Sequence, residues 1–138
     1  MINTVYKPDI IGCEIHQEPG ALVTEVLLTI PDFFLVVINR IETVRDEEGG
    51  VRYWTRKEEC QIPNSIKITT PYGNQMYELF AVINWDGVVS STGRTQGHYT
   101  ANIKFGNKWF HTNDKIIKEI PRQYSKCAYV LGYTKYEA

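Results

Sequence analysis

Residues 97–114 read GHYTANIKFGNKWFHTND, and the alternation in this stretch decides the fold. Gly106-Asn107 stands between two runs rich in Ile, Phe, Tyr and Trp, and a two-residue loop of that kind closes a hairpin through a primed turn. The loop fixes a register. Phe105 pairs with Lys108, Ile103 with Phe110, Ala101 with Thr112 and Thr100 with Asn113. Successive side chains point to opposite faces, so Tyr99, Ala101, Ile103 and Phe105 share one face while His98, Thr100, Asn102 and Lys104 share the other. Asn113 belongs to the His98 face and sits diagonal to His98, at a Cβ separation of about 7–8 Å that a side-chain hydrogen bond can span. A bulge would make Asp114 the nearer partner. A histidine oriented by an amide or carboxylate is the base-and-orienter part of a nucleophilic triad; the same residues also fit a polar, solvated sheet face.

Working outward, Val, Ile, Thr, Tyr and Phe cluster in short runs separated by Gly, Pro, Asn or Asp, which is the pattern of strands. The runs predict strands near Val23–Ile30, Phe34–Ile41, Val51–Thr55, Ser65–Ile68, Tyr77–Asn84, His98–Phe105, Lys108–Thr112 and Cys127–Tyr133. The fold class is therefore mostly antiparallel β. On composition, residues 45–50 (RDEEGG) and 86–97 (DGVVSSTGRTQG) read as loops. A short helical turn is expected over Asp114–Glu119, capped by Asp114 and closed by Pro121. No repeat or linker divides the sequence, so a single unit over residues 1–138 is expected.

Charge excludes some functions. With 15 Lys and Arg against 16 Asp and Glu, the net charge is -1. The longest basic run is Arg56-Lys57, so neither a nucleic-acid nor a membrane surface is indicated. No stretch approaches the roughly 20 apolar residues that span a bilayer, and the N-terminus carries no secretory pattern, so cytoplasm or nucleus is the expected compartment. Cys13, Cys60 and Cys127 are far apart and odd in number, which fits neither a disulfide framework nor a metal site. Reduced thiols are expected.

Several motifs occur in a set order: Tyr77, Leu79, Ala81 and Val82; Gly87; Gly97-His98-Tyr99; Trp109; Asn113-Asp114; and Ala128-Tyr129 with Leu131 and Tyr133. Upstream stand IPDFFLVVINRIE (30–42) and IPNSIKI (62–68). Together, from Leu22 to Tyr136, these resemble the histidine-box half of the ubiquitin-specific proteases, the papain-like cysteine deubiquitinases. The resemblance implies the palm-like half of an α+β protease domain. It implies His98 as general base, Asn113 as its orienter and Asp114 as an acidic neighbour, with Gly97, Tyr99 and Trp109 on the substrate side. No metal and no cofactor are expected, although Cys13 resembles a remnant of the zinc-knuckle cysteines of that family. Trp85 stands where the family has a histidine that contacts the substrate tail, and Asn39 and Ile41 replace a Lys and a Phe.

The family's nucleophile lies in an Asn-x-Gly-Asn-Thr-Cys type of box that opens a helix, and this sequence has none. Cys13, in IIGCEIHQ (10–17), lacks the Asn before it and the spacing to His98. Cys60 falls in an ordinary strand position, and Cys127 reads as a small buried residue in the closing strand. His16, His111 and Trp54 read as ordinary surface or core residues. The expectation is a ubiquitin-specific-protease-like domain without a catalytic cysteine, inactive alone and binding ubiquitin or another protein. The alternative is the histidine-bearing part of an active deubiquitinase completed by a cysteine-bearing part. Either way, an apolar surface should be left bare beside the face that carries His98, Trp109 and Asn113.

Overall fold

The computed structural model describes residues 29–137, together with the backbone of three short strands upstream, β1 (Ile2–Thr4), β2 (Asp9–Ile11) and β3 (Ala21–Val23). Every regular element among the described residues is a strand. These are β4 (Phe33–Val37), β5 (Ile41–Arg45), β6 (Val51–Thr55), β7 (Ser65–Thr70), β8 (Gly73–Val89), β9 (Thr95–Phe105), β10 (Lys108–Asn113), β11 (Ile116–Ile120) and β12 (Ala128–Tyr136). Eight of the strands form one sheet. Its order runs β1-β7-β8-β9-β10-β11, and β12 pairs with both β8 and β4. Of the strand expected over Val23–Ile30, only Val23 lies in a described strand; Cys13 and His16 lie outside the described residues.

Three expectations are corrected. Residues 116–120 form a strand, not a helical turn: Asp114 and Lys115 make a two-residue turn, and Asn113 pairs with Ile116. Asp114 takes a φ of 50°, a left-handed conformation that Asp tolerates and that ends β10 rather than capping a helix. The strand expected over Phe34–Ile41 stops at Val37. There the chain leaves the sheet, the Ile41 amide donates to Asn39 Oδ1 at 3.1 Å, and β5 starts a separate hairpin with β6. The loop expected over residues 86–97 shrinks to its centre, because β8 continues to Val89 and β9 begins at Thr95. Ser90 closes the remaining turn, its Oγ accepting from the Arg94 amide at 3.0 Å.

Glycines misled that reading. Gly87 and Gly97 face each other across the β8–β9 ladder. A side chain at Gly97 would come within 2.6 Å of Trp85 Nε1 and 2.7 Å of the Asp86 carbonyl. The indole of Trp85 occupies the space that side chains would fill, so the two glycines are strand residues that admit a large ring.

The hairpin register is the one read from the sequence: Phe105 pairs with Lys108, Ile103 with Phe110 and Ala101 with Thr112. Following one row of partners across the sheet gives Leu131, Val82, Asn102 and His111, and its middle members are buried. This is the core face. Val82 and Leu131 join Ile66, Ile68, Tyr77, Leu79, Ala128 and Tyr133 in the core, with Trp109 packed against it. Two tyrosines pin the strands to the segments around them. Tyr77 donates its hydroxyl to the Pro31 carbonyl at 2.7 Å, and Tyr133 donates to the Pro63 carbonyl at 2.8 Å.

The neighbouring rows face the other way. One runs Leu35, Gly132, Ala81, Ile103, Phe110, and the next runs Val37, Val130, Ile83, Ala101, Thr112, Ile117. They form an apolar face that the described residues leave bare: Leu35 is 59%, Val37 62% and Ile117 71% exposed. A bare apolar surface was expected, but beside His98, Trp109 and Asn113. Strand alternation puts the apolar rows on the opposite face of those strands.

Candidate active site

His98 stands near the end of β9, opposite Asp86 on β8. Asn113 is the last residue of β10, held in place by the left-handed turn at Asp114. The two side chains meet, with His98 Nε2 and Asn113 Oδ1 2.7 Å apart. An amide oxygen can only accept, so Nε2 carries the proton and donates it. The lone pair is then on Nδ1, which has no hydrogen-bond partner among the described residues. That nitrogen is the basic one, and the Asn113 bond fixes both its tautomer and its direction.

Behind the pair, the core face is polar. Asn84 Nδ2 donates to Thr100 Oγ1 at 3.1 Å, and the Ser125 hydroxyl bonds to Asn84 Oδ1. Further along the same two strands lies a second histidine–amide pair, whose histidine the sequence reading passed over as ordinary. Asn102, only 1% exposed, donates from Nδ2 to the Tyr124 carbonyl at 3.1 Å and faces His111 Nδ1 with Oδ1 at 2.7 Å. The amide orientation forces His111 to carry its proton on Nδ1, the reverse of His98. Asn102 on the His98 face was the available signal, because a buried amide needs partners for both of its ends.

The other candidates divide. Asp114 is exposed, and its carboxylate makes no hydrogen bond among the described residues; the structure gives it the turn. Gly97 admits the Trp85 indole beside the strand. Tyr99 is half exposed, and its ring tilts onto Tyr129 at a centroid distance of 6.3 Å, as does Trp85 from the other side. These three rings, with Val37, Ile41 and Thr95, line an open cavity of about 370 Å³ on the face of β9 opposite His98. Trp109 shares the His98 face, but it is paired with Lys104 and packs against the core. The structure thus brings together His98 and Asn113; Gly97 and Tyr99 adjoin His98 in β9 but belong to its opposite face, and Trp109 lies at the far end of the hairpin.

Two thiols are described, both free and half-buried. The Cys127 carbonyl accepts from the Trp85 amide at 2.9 Å, on the β12 flank of β8, whereas His98 lies on the β9 flank. Two strand spacings, about 10 Å, separate those positions. Cys60 Sγ contacts the Glu58 carbonyl at 3.9 Å. Among the described residues, no thiol hydrogen-bonds to His98, and no cluster of His, Cys, Asp and Glu is arranged to hold a metal.

A family model described as ubiquitin carboxyl-terminal hydrolase matches residues 8–133. No curated protein matches. Among solved structures, the chain is similar to one in the SAGA Ubp8/Sgf11/Sus1/Sgf73 DUB module, with a TM-score of 0.69 and 19% identity. The match covers 96% of this chain and 31% of that one, so this chain spans about a third of its length. At that identity the likeness concerns the fold.

Proposed function

This chain belongs to the ubiquitin carboxyl-terminal hydrolase family, and from that premise we propose that it carries the base of a thiol hydrolase acting on ubiquitin C-terminal peptide or isopeptide bonds, without a nucleophile of its own. The observation that carries this reading is the 2.7 Å contact between His98 Nε2 and Asn113 Oδ1. A solvated polar face does not need that bond. A papain-like site does, because it leaves Nδ1 free to take the proton of a thiol, and the resulting thiolate attacks the carbonyl. Asn113 then holds the imidazolium in place, and the Asp114 turn holds Asn113.

On this reading the chain is the palm-like half of the domain. Alone it binds ubiquitin or a ubiquitin-like protein without hydrolysing it, in the cytoplasm or nucleus. The substrate segment runs along the His98 end of the sheet, with Tyr99 and its aromatic cavity on the opposite face of β9 and Gly97 giving its space to the Trp85 indole. The bare apolar rows are the surface on which a protein partner docks, and a thiol supplied by that partner reaches His98 round the ends of β9 and β10.

The experiment is incubation of the chain with a ubiquitin derivative carrying a C-terminal electrophile, followed by intact-mass analysis. No adduct is expected at any cysteine, although ubiquitin itself binds. An adduct at Cys13, Cys60 or Cys127 would make the chain a complete enzyme and overturn the proposal.

A further inference from the structure

Arg40 lies on the segment that leaves the sheet after β4, and it is 4% exposed. Its guanidinium donates from Nε to the Ala128 carbonyl at 2.9 Å and from Nη1 to the Glu58 carbonyl at 2.5 Å. Nη2 is buried without a partner. Both of the bonds it makes go to neutral carbonyls, and among the described residues no carboxylate forms an ion pair with it. A buried cation without a counter-anion is costly, and the cost is met when an anion can reach it.

Arg40 lines a cavity of about 160 Å³ together with Arg56, Lys57 and Lys126, against a single carboxylate, Asp86. Arg56 is already engaged by Glu42 at 3.2 Å, across the β5–β6 hairpin. Lys57 and Lys126 have no ion-pair partner among the described residues, and they come from different parts of the chain. Convergence of four cations on one small cavity, with an unsatisfied guanidinium in its wall, is the chemistry of an oxyanion site. The cavity is smaller than the ~300 Å³ at which pockets for drug-sized ligands begin, so it suits a single phosphate group rather than a nucleotide.

We propose that the Arg40–Lys57–Lys126 cavity binds a phosphate group, either as the free anion or on a phosphorylated side chain. The anion is held by Lys57 and Lys126 in the field of the Arg40 guanidinium and ties the β5–β6 hairpin to β12. Asp86 of its lining is the ladder partner of His98, so the site adjoins the His98 pair, although neither His98 nor Asn113 lines it.

The test is thermal unfolding of the full chain in sodium phosphate and in sodium chloride at matched ionic strength. Phosphate also stabilises proteins generally by exclusion from their surfaces, so the variants decide. The apparent phosphate affinity, taken from the concentration dependence of the midpoint, should fall at least about ten-fold in Lys126→Glu and in Lys57→Glu, as loss of a charge-assisted bond requires. Asp86→Asn, which removes the only carboxylate in the lining, should raise it. A larger shift with phosphoserine than with inorganic phosphate supports the site with a phosphorylated side chain as its source, and the reverse supports it with the free anion. Equal stabilisation of wild type and both lysine variants, or no difference between phosphate and chloride in wild type, overturns the proposal.

Discussion

At the scale of single residues, the two histidines of the hairpin make opposite predictions from the same kind of bond. Asn113 accepts from His98 Nε2, whereas Asn102 accepts from His111 Nδ1. Imidazole ¹⁵N shifts at neutral pH should show the Nε2–H tautomer for His98 and the Nδ1–H tautomer for His111, and Asn113→Ala should abolish the preference only at His98. The first pair was legible in the sequence, because a two-residue turn counts the register for the reader. The second was not, since what makes His111 special is the Tyr124 carbonyl that orients Asn102 from a distant segment. Gly97 gives a further check. Gly97→Ala places a methyl group 2.6 Å from Trp85 Nε1 and should cost about 1–3 kcal/mol in denaturant unfolding, as overpacking does. A cost below about 0.5 kcal/mol would show that the indole is free to move aside.

At the scale of elements, the pairing of the hairpin's two strands was read correctly, because burial on one face stamps an alternating pattern on the sequence. The misreadings came where composition outvoted that pattern. Asp86, Gly87, Gln96 and Gly97 look like loop residues, yet they are strand because a tryptophan ring replaces the missing side chains. Asp114 looks like a helix cap, yet its left-handed φ closes a hairpin. Substitution there separates the turn from the carboxylate. Asp114→Gly should change stability by less than about 0.5 kcal/mol, while Asp114→Val, β-branched in a left-handed position, should destabilise by about 1–2 kcal/mol. If Asp114→Gly instead costs as much as the valine, the carboxylate makes a contact that the turn alone does not explain.

At the scale of the whole molecule, the core and the bare face make separate demands. Burial pushes the Tyr133 hydroxyl up to about 12 and raises Tyr77 as well, so the folded state favours both neutral phenols. The contribution of Tyr133 is therefore intact below pH 10 and lost as the pH rises from about 10 to 12, on the order of 2–3 kcal/mol in all. Urea unfolding of Tyr133→Phe should show a shallower alkaline decline than wild type. If the proposed partner docks on the rows through Leu35, Ile83 and Ile117, which the described residues leave bare, the contact should bury more than about 1,000 Å². Their existence could be foreseen from the family resemblance, but which face they occupy required the full set of strand pairings. The central claim remains that His98 is a base waiting for a thiol. It is tested most directly by mixing this chain with a cysteine-box segment of a family member and following hydrolysis of a ubiquitin C-terminal amide reporter. The account predicts turnover only in the mixture, and its loss with His98→Ala while assembly persists. Turnover by the chain alone, or a mixture equally active with His98→Ala, would contradict it.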